Sequence, residues 1–199
     1  GKVFPVNPHA VVVHSIKCFP RVTAIPDPVD LAVVAVKKEL VPAAIRDCAR
    51  KGVGAVVVIT AGFKETGPEG AERERQLVQV VRDHGMRLIG PNCMGVFSTH
   101  PDVRMNATFA PTVPVAGEIG FMSQSGAMGV AILNATARLN IGFSAFASVG
   151  NKADVSGNDL LTYWENDERT RVIALYLESF GNPRRFTRLA KRISRSKPI

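Results

Sequence analysis

Residues 30–36 and 54–63 read DLAVVAV and GAVVVITAGF. Each is a β-branched run without polar alternation that breaks into a turn, the pattern of a strand covered on both faces and hence of a parallel sheet. Between them, Pro42 to Lys51 has helical character and closes on Gly52, as helix C-termini commonly do. A strand, a helix and a second strand of this kind predict a βαβ unit.

Outward from this unit the same alternation continues. Further strands are expected at KVFPVN (2–7), MRLIG (86–90), EIGFMS (118–123), FSAFASV (143–149) and RVIALYLE (171–178), with a last one beginning at KPI (197–199). Helices are expected at Glu69 to His84, Ala127 to Leu139, Asn158 to Asn166 and Arg184 to Ser194. The fold class is therefore α/β. Regularity lapses between Gly95 and Gly117, where Pro and Thr accumulate (FSTHPDVRMNATFAPTVPVAG, 97–117), and this stretch reads as a linker between two α/β domains, residues 1–112 and 113–199. The sequence opens on a strand and stops at the start of another, so it is expected to be a piece of a longer protein.

Composition narrows the function classes. With 199 residues, 46% of them hydrophobic, the chain can build a sizeable core. Its apolar runs are far shorter than the ~20 residues that cross a bilayer, and Pro5, Pro8 and His9 interrupt the first apolar patch where a secretory signal would be continuous. No membrane role and a cytoplasmic location are expected. Cys18, Cys48 and Cys93 are odd in number and widely spaced, which suits reduced thiols, and the four histidines, His9, His14, His84 and His100, lack metal-ligand spacing. The net charge of +8 attracts anions in general. Its densest segment, PRRFTRLAKRISRSK (183–197), has the pattern of one helix with a solvated face, so a nucleic-acid partner is not expected.

In open parallel sheets ligands bind beyond the carboxyl ends of the strands. Four strand ends carry turn residues: VNPHA (6–10), the turn after Val36, ITAGF (59–63) and IGPNCMG (89–95). Each alone could be an ordinary turn. Ser123, Ser125 and Gly126 lie between a strand and a helix, where a serine caps the helix and the free N–H groups of its first turn suit a phosphate; a nucleophile elbow is not present, because the GxSxG pattern does not occur in Phe121 to Gly126. Glu178 ends a strand at the same edge, as a solvated acid or as a site residue. Cys93 sits in GPNC with no histidine nearby in sequence, and is read as packing rather than as a nucleophile.

The strings FPVNP, DLAVVAV, VVVITAGFKETGPEG, RLIGPNCMG, MNATFAP, GFMSQSGAMG, SVGNKADVSGNDLL and YLESFGNP occur in this order over essentially the whole chain. In this they resemble the ADP-forming (NDP-forming) acyl-CoA synthetases, and more distantly the succinyl-CoA synthetase α subunit. The resemblance implies a Rossmann-like CoA-binding domain without its first strand, followed by the start of a flavodoxin-like domain. It implies a CoA ligase that interconverts acyl-CoA, ADP and phosphate with acid, CoA and ATP through an acyl phosphate and a phosphohistidine. Carried over by motif, Asn7, His9, Ile59, Thr60 and Ala61 are expected near the CoA nucleotide and Asn92 and Cys93 near its thiol. Ser125, Gly126 and Ala127 are expected around phosphate, and Glu178 beside the phosphorylated histidine. The histidine itself would follow Lys197, and the family's glycine-rich loop would precede Gly1. ATP or ADP with Mg would be held by an ATP-grasp domain or β subunit, so this stretch alone is expected to be inactive. His9 departs from the lysine the family often has there. The other function class compatible with the same strings is a non-catalytic, ligase-like regulatory module of a protein acetyltransferase.

Overall fold

A computed structural model describes residues 1–112 and 115–199. In chain order it contains strands β1 (Val12–Val13), β2 (Ile16–Lys17) and β3 (Leu31–Val34), helix α1 (Val41–Lys51), β4 (Ala55–Val58), α2 (Pro68–Asp83), β5 (Arg87–Ile89), β6 (Gly95–Ser98) and β7 (Met105–Thr108). Then come β8 (Ala116–Ser123), α3 (Gly126–Arg138), β9 (Phe143–Ser148), α4 (Gly157–Asn166), β10 (Val172–Tyr176) and α5 (Pro183–Ile193). The five helices lie within a residue or so of their expected bounds.

β3, β4 and β5 form a parallel three-stranded sheet in that order, with Leu31 opposite Ala55 and Val56 opposite Leu88. Val56, Val57 and Val58 are all fully buried, which is why β4 shows no polar alternation. Val56 and Val58 pack with Ile45 of α1 and Leu77 and Val81 of α2. Val57 instead joins a second cluster with Cys93, Val149 and Trp164, so the first sheet contributes to a core that reaches into the second half of the chain.

The second sheet has the order β10-β8-β9-β6-β7. β8 runs parallel to β9 and β10, while β6 runs antiparallel to β9 and β7. Phe97, Phe121, Phe143 and Phe146 stack and tilt against one another on it, with ring centroids 5.3–6.1 Å apart. Across the sheet, a Cβ on Gly120 would stand 2.7 Å from the ring of Trp164, so β8 needs glycine where that indole lies flat on it.

Three expectations are corrected. Residues 2–7 do not form a sheet strand: only Val6 bridges to Phe19, since Pro5 and Pro8 lack the N–H groups a ladder requires. The VNPHA turn therefore does not end a strand beside the other three motifs. The supposed linker contains the β6–β7 hairpin, whose Gly95 and Phe97 pair with Ser148 and Phe146; its Pro and Thr content hid two short strands. Finally, Lys197 to Ile199 is not a strand, although Pro198 O accepts the Ile173 N–H at 2.9 Å beside β10. The boundary expected between residues 112 and 113 abuts Val113 and Pro114, outside the described residues.

The two sheets are joined by backbone hydrogen bonds between the turn after β5 and the turn after β9. Asn151 N donates to Pro91 O at 3.0 Å, Ala153 N to Gly90 O at 3.1 Å and Val155 N to Leu88 O at 3.1 Å. Gly150 (φ +48) makes this approach possible, because a Cβ there would collide with the carbonyl oxygens of Pro91 and Asn92. Gly150→Ala is expected to destabilise the protein by about 2–3 kcal/mol and to lower Tm by roughly 5–10 °C. Gly52→Ala, at a φ of +81 with open space around it, should cost only about 1 kcal/mol of left-handed strain. Thermal unfolding of both variants checks this, and equal losses would show that the close approach carries no load.

Candidate active site

The carboxyl ends of β4, β5, β8, β9 and β10 open on one cleft of ≈ 550 Å³, which straddles the two sheets. Ile59 and Lys64 reach it from the loop after β4, and Asn92, Cys93 and Met94 from the turn after β5. Gln124 to Ala127 come from the β8–α3 turn, Gly150 and Asn151 from the turn after β9, and Glu178 from beyond β10. Ligand sites of parallel sheets form at such edges because the chain must turn there and helix N-termini point at the opening.

At the β8–α3 turn, Ser125 is the N-cap: its Oγ accepts the Met128 N–H at 3.3 Å. Ser123 is fully buried and donates to Ser125 O at 2.5 Å, fixing the cap from below. First-turn N–H groups have no acceptor within their own helix. With Met128 served by Ser125, the amides of Gly126 and Ala127 remain beside the cleft, where the positive end of the helix dipole favours an anion. Among the residues expected around phosphate, all three thus meet in one place.

Asn92 (φ 57) and Cys93 occupy the other wall. The Cys93 thiol donates to Val58 O at 3.3 Å, and burial pushes its pKa up to about 12. A thiol so raised stays protonated and is a poor nucleophile, which agrees with its reading as a packing residue at the edge of the site.

Between the walls runs a polar network. The Asn151 side-chain amide donates to Glu65 Oε2 at 2.6 Å and to Glu74 Oε2 at 2.8 Å, and its backbone O accepts from Lys64 Nζ at 3.2 Å. Glu74 is 7% exposed, with Lys64 Nζ 3.9 Å from its carboxylate; a buried carboxylate needs such partners. Glu65 Oε1 accepts the backbone N–H groups of Gly62 (2.5 Å) and Phe63 (3.2 Å). Partial burial acts to raise the Glu65 pKa, and these hydrogen bonds with that from Asn151 outweigh it, holding the carboxyl below its usual range. Two amides of ITAGF are therefore taken up by the Glu65 side chain just beyond it.

The remaining expected CoA residues stand outside the cleft lining. Thr60 Oγ1 donates to Val36 O at 2.7 Å, tying the ends of the first two strands of the sheet together, and Thr60 O accepts the Asn92 N–H at 3.0 Å. Ala61 is exposed beside it. Asn7 and His9 lie in an exposed turn in which Asn7 Oδ1 accepts the His9 N–H at 2.9 Å. Residues that sequence reasoning passed over are Lys64, Glu65, Glu74, Gln124, Gly150 and Asn151. Several lie in the quoted strings GFKETGPEG, SQSG and GNKADV, but Glu74 is one acid among many on a charged helix and gives no signal of burial.

A family model described as a CoA binding domain matches residues 1–99, and one described as a succinyl-CoA ligase like flavodoxin domain matches residues 116–199. The chain is 45% identical over 199 residues to the acetate–CoA ligase [ADP-forming] II subunit alpha of Pyrococcus furiosus, covering 100% of this chain and 43% of that one. It is 38% identical over 201 residues to the 4-hydroxybutyrate–CoA ligase [ADP-forming] of Nitrosopumilus maritimus, with 100% and 29% covered. Among solved structures, the Ca. Korarchaeum cryptofilum dinucleotide-forming acetyl-coenzyme A synthetase 1, in complex with phosphate and ADP, superposes with a TM-score of 0.93 at 45% identity, over 100% of this chain and 42% of that one. The chain thus spans less than half the length of these relatives. With both halves matched in order and the whole chain aligned at this identity, the chain belongs to the ADP-forming acyl-CoA synthetase family.

Proposed function

We propose that this chain is the CoA-binding and phosphate-handling part of a longer NDP-forming acyl-CoA synthetase, which interconverts acyl-CoA, ADP and phosphate with acid, CoA and ATP. The observation that carries this reading is the single cleft in which Asn92 and Cys93 face Ser125, Gly126, Ala127 and Glu178. A thioester carried on the first wall would stand beside a phosphate held on the second. Residues 1–112 act as the CoA-binding domain, with Asn7, His9, Ile59, Thr60 and Ala61 on the nucleotide side, and the β6–β7 hairpin reaches across to the sheet of residues 113–199. An ATP-grasp domain or β subunit supplies the nucleotide and Mg site, and the enzyme works in the cytoplasm.

In this mechanism a phosphate oxygen attacks the thioester carbonyl, the C–S bond breaks and CoA leaves as its thiol. The amides of Gly126 and Ala127 hold the phosphate by preorganised N–H donors, which gain strength as charge develops. A histidine from elsewhere in the protein then attacks phosphorus, the bond to the acyl oxygen breaks, and the carboxylate departs. Glu178 accepts a hydrogen bond from the ring nitrogen that is not phosphorylated, fixing the tautomer and balancing the positive charge. The overall reaction is tested on the full-length protein by ADP release that requires acid, CoA and ATP together; its absence would sink the reading.

Two variants test the assigned residues. Glu178→Gln keeps the shape and removes the charge, and in the full-length protein it is expected to slow phosphoenzyme formation from labelled ATP by roughly a hundredfold while leaving CoA titrations nearly unchanged. A normal rate would make Glu178 a solvated acid. Ser125→Asp preserves a good N-cap but places a carboxylate on the first-turn amides. Titration with inorganic phosphate should then show affinity reduced at least about tenfold with Tm unchanged; undiminished phosphate binding would move the site elsewhere.

A further inference from the structure

The parallel ladder between β8 and β10 ends at Ser123 opposite Tyr176, and its last backbone bond runs from Gln124 N to Tyr176 O at 3.0 Å. Beyond it the β8 chain turns into α3, so the N–H groups of Glu178 and Ser179 lose their backbone partner strand. The Gln124 side chain replaces it: Oε1 accepts from Glu178 N at 3.1 Å and from Ser179 N at 3.2 Å. From the turn after β9, Lys152 Nζ donates to Ser179 O at 2.5 Å and to Ser179 Oγ at 2.8 Å. Lys152 reaches there from a left-handed position (φ 54) in the turn built on Gly150.

Glu178 is exposed, and among the described residues no hydrogen bond reaches its carboxylate. Its position is therefore set by the backbone that carries it, and that backbone is held by side chains from two other segments. We propose that Gln124 and Lys152 are positioning residues that latch the Glu178–Ser179 segment, so that the backbone carrying the Glu178 carboxylate is placed before the reaction begins. The proposal rests on the role given to Glu178 above. Partial burial, followed by the neighbouring Lys64, lowers the Lys152 pKa, whereas Glu178 raises it, so the ammonium is placed between a repelling and an attracting neighbour. Such a lysine is poised to fix a loop rather than to wander in solvent.

The latch is tested by a double-mutant cycle on phosphoenzyme formation in the full-length protein. Gln124→Met removes the acceptor at constant length and is expected to slow phosphorylation roughly tenfold, within the range that misplacement of a reacting group produces, with KM for ATP unchanged. Because Gln124 acts through Glu178, adding Gln124→Met to Glu178→Gln should slow the reaction less than about twofold further, whereas independent effects would multiply. A full tenfold loss on the Glu178→Gln background, or an unchanged rate in Gln124→Met alone, overturns the latch. If Gln124→Met does not fold, Lys152→Met with Lys152→Arg as its conservative partner runs the same cycle from the Ser179 side. A slow Glu178→Gln with a normal Gln124→Met removes only the latch, while a normal Glu178→Gln removes the role of Glu178 and the latch with it.

Discussion

The close approach of Gly150 to the carbonyls of Pro91 and Asn92 is the constraint on which the rest of the molecule depends. Among the described residues, the parallel first sheet and the mixed second sheet have no ladder in common. They are held in register by three backbone hydrogen bonds from residues 151–155 to residues 88–91, with Val57, Cys93 and Val149 packed beneath. A side chain at Gly150 would force these turns apart and widen the space between Asn92 and Ser125. The cleft is thus a product of backbone contact, which fixes the separation of its two walls.

Charge is distributed across that contact in a compensating way. Asp154 follows the Gly150 turn, and its Oδ2 accepts from Arg87 Nε at 2.8 Å and from Leu88 N at 3.0 Å on the first sheet. Asn151 ties Glu65 and Glu74 of the first half to the turn of the second. Each of these links satisfies a polar group that the packing of the two halves would otherwise leave without water. Buried polar networks of this kind rigidify a structure when every member is paired.

Much of this was legible in the sequence, for definite reasons. The helices announced themselves through Gly52 and Gly85 at their ends and Pro42 near a start, and β4 through a valine run that only a doubly covered strand tolerates. The hairpins were hidden. β1 and β2 have two residues each, closed by His14 and Ser15 at φ 46 and 64 in place of the usual Asn-Gly, and β6 and β7 lie amid prolines and threonines that dominate turns elsewhere. At the site, Ser125 and Glu178 could be found because strand ends point to them. Glu65, Gln124 and Asn151 could not be placed, since their partners are 54 to 86 residues away in the chain or are backbone amides that no motif marks.

The carboxylate of Glu65 on the amides of Gly62 and Phe63 has a thermodynamic consequence. A surface loop usually keeps conformational freedom that the folded strands beside it have lost. Here an internal anion organises the loop, so that its entropy is lost during folding. The ordering of this loop is therefore a term in the stability of the fold, held by a single side chain two residues beyond it.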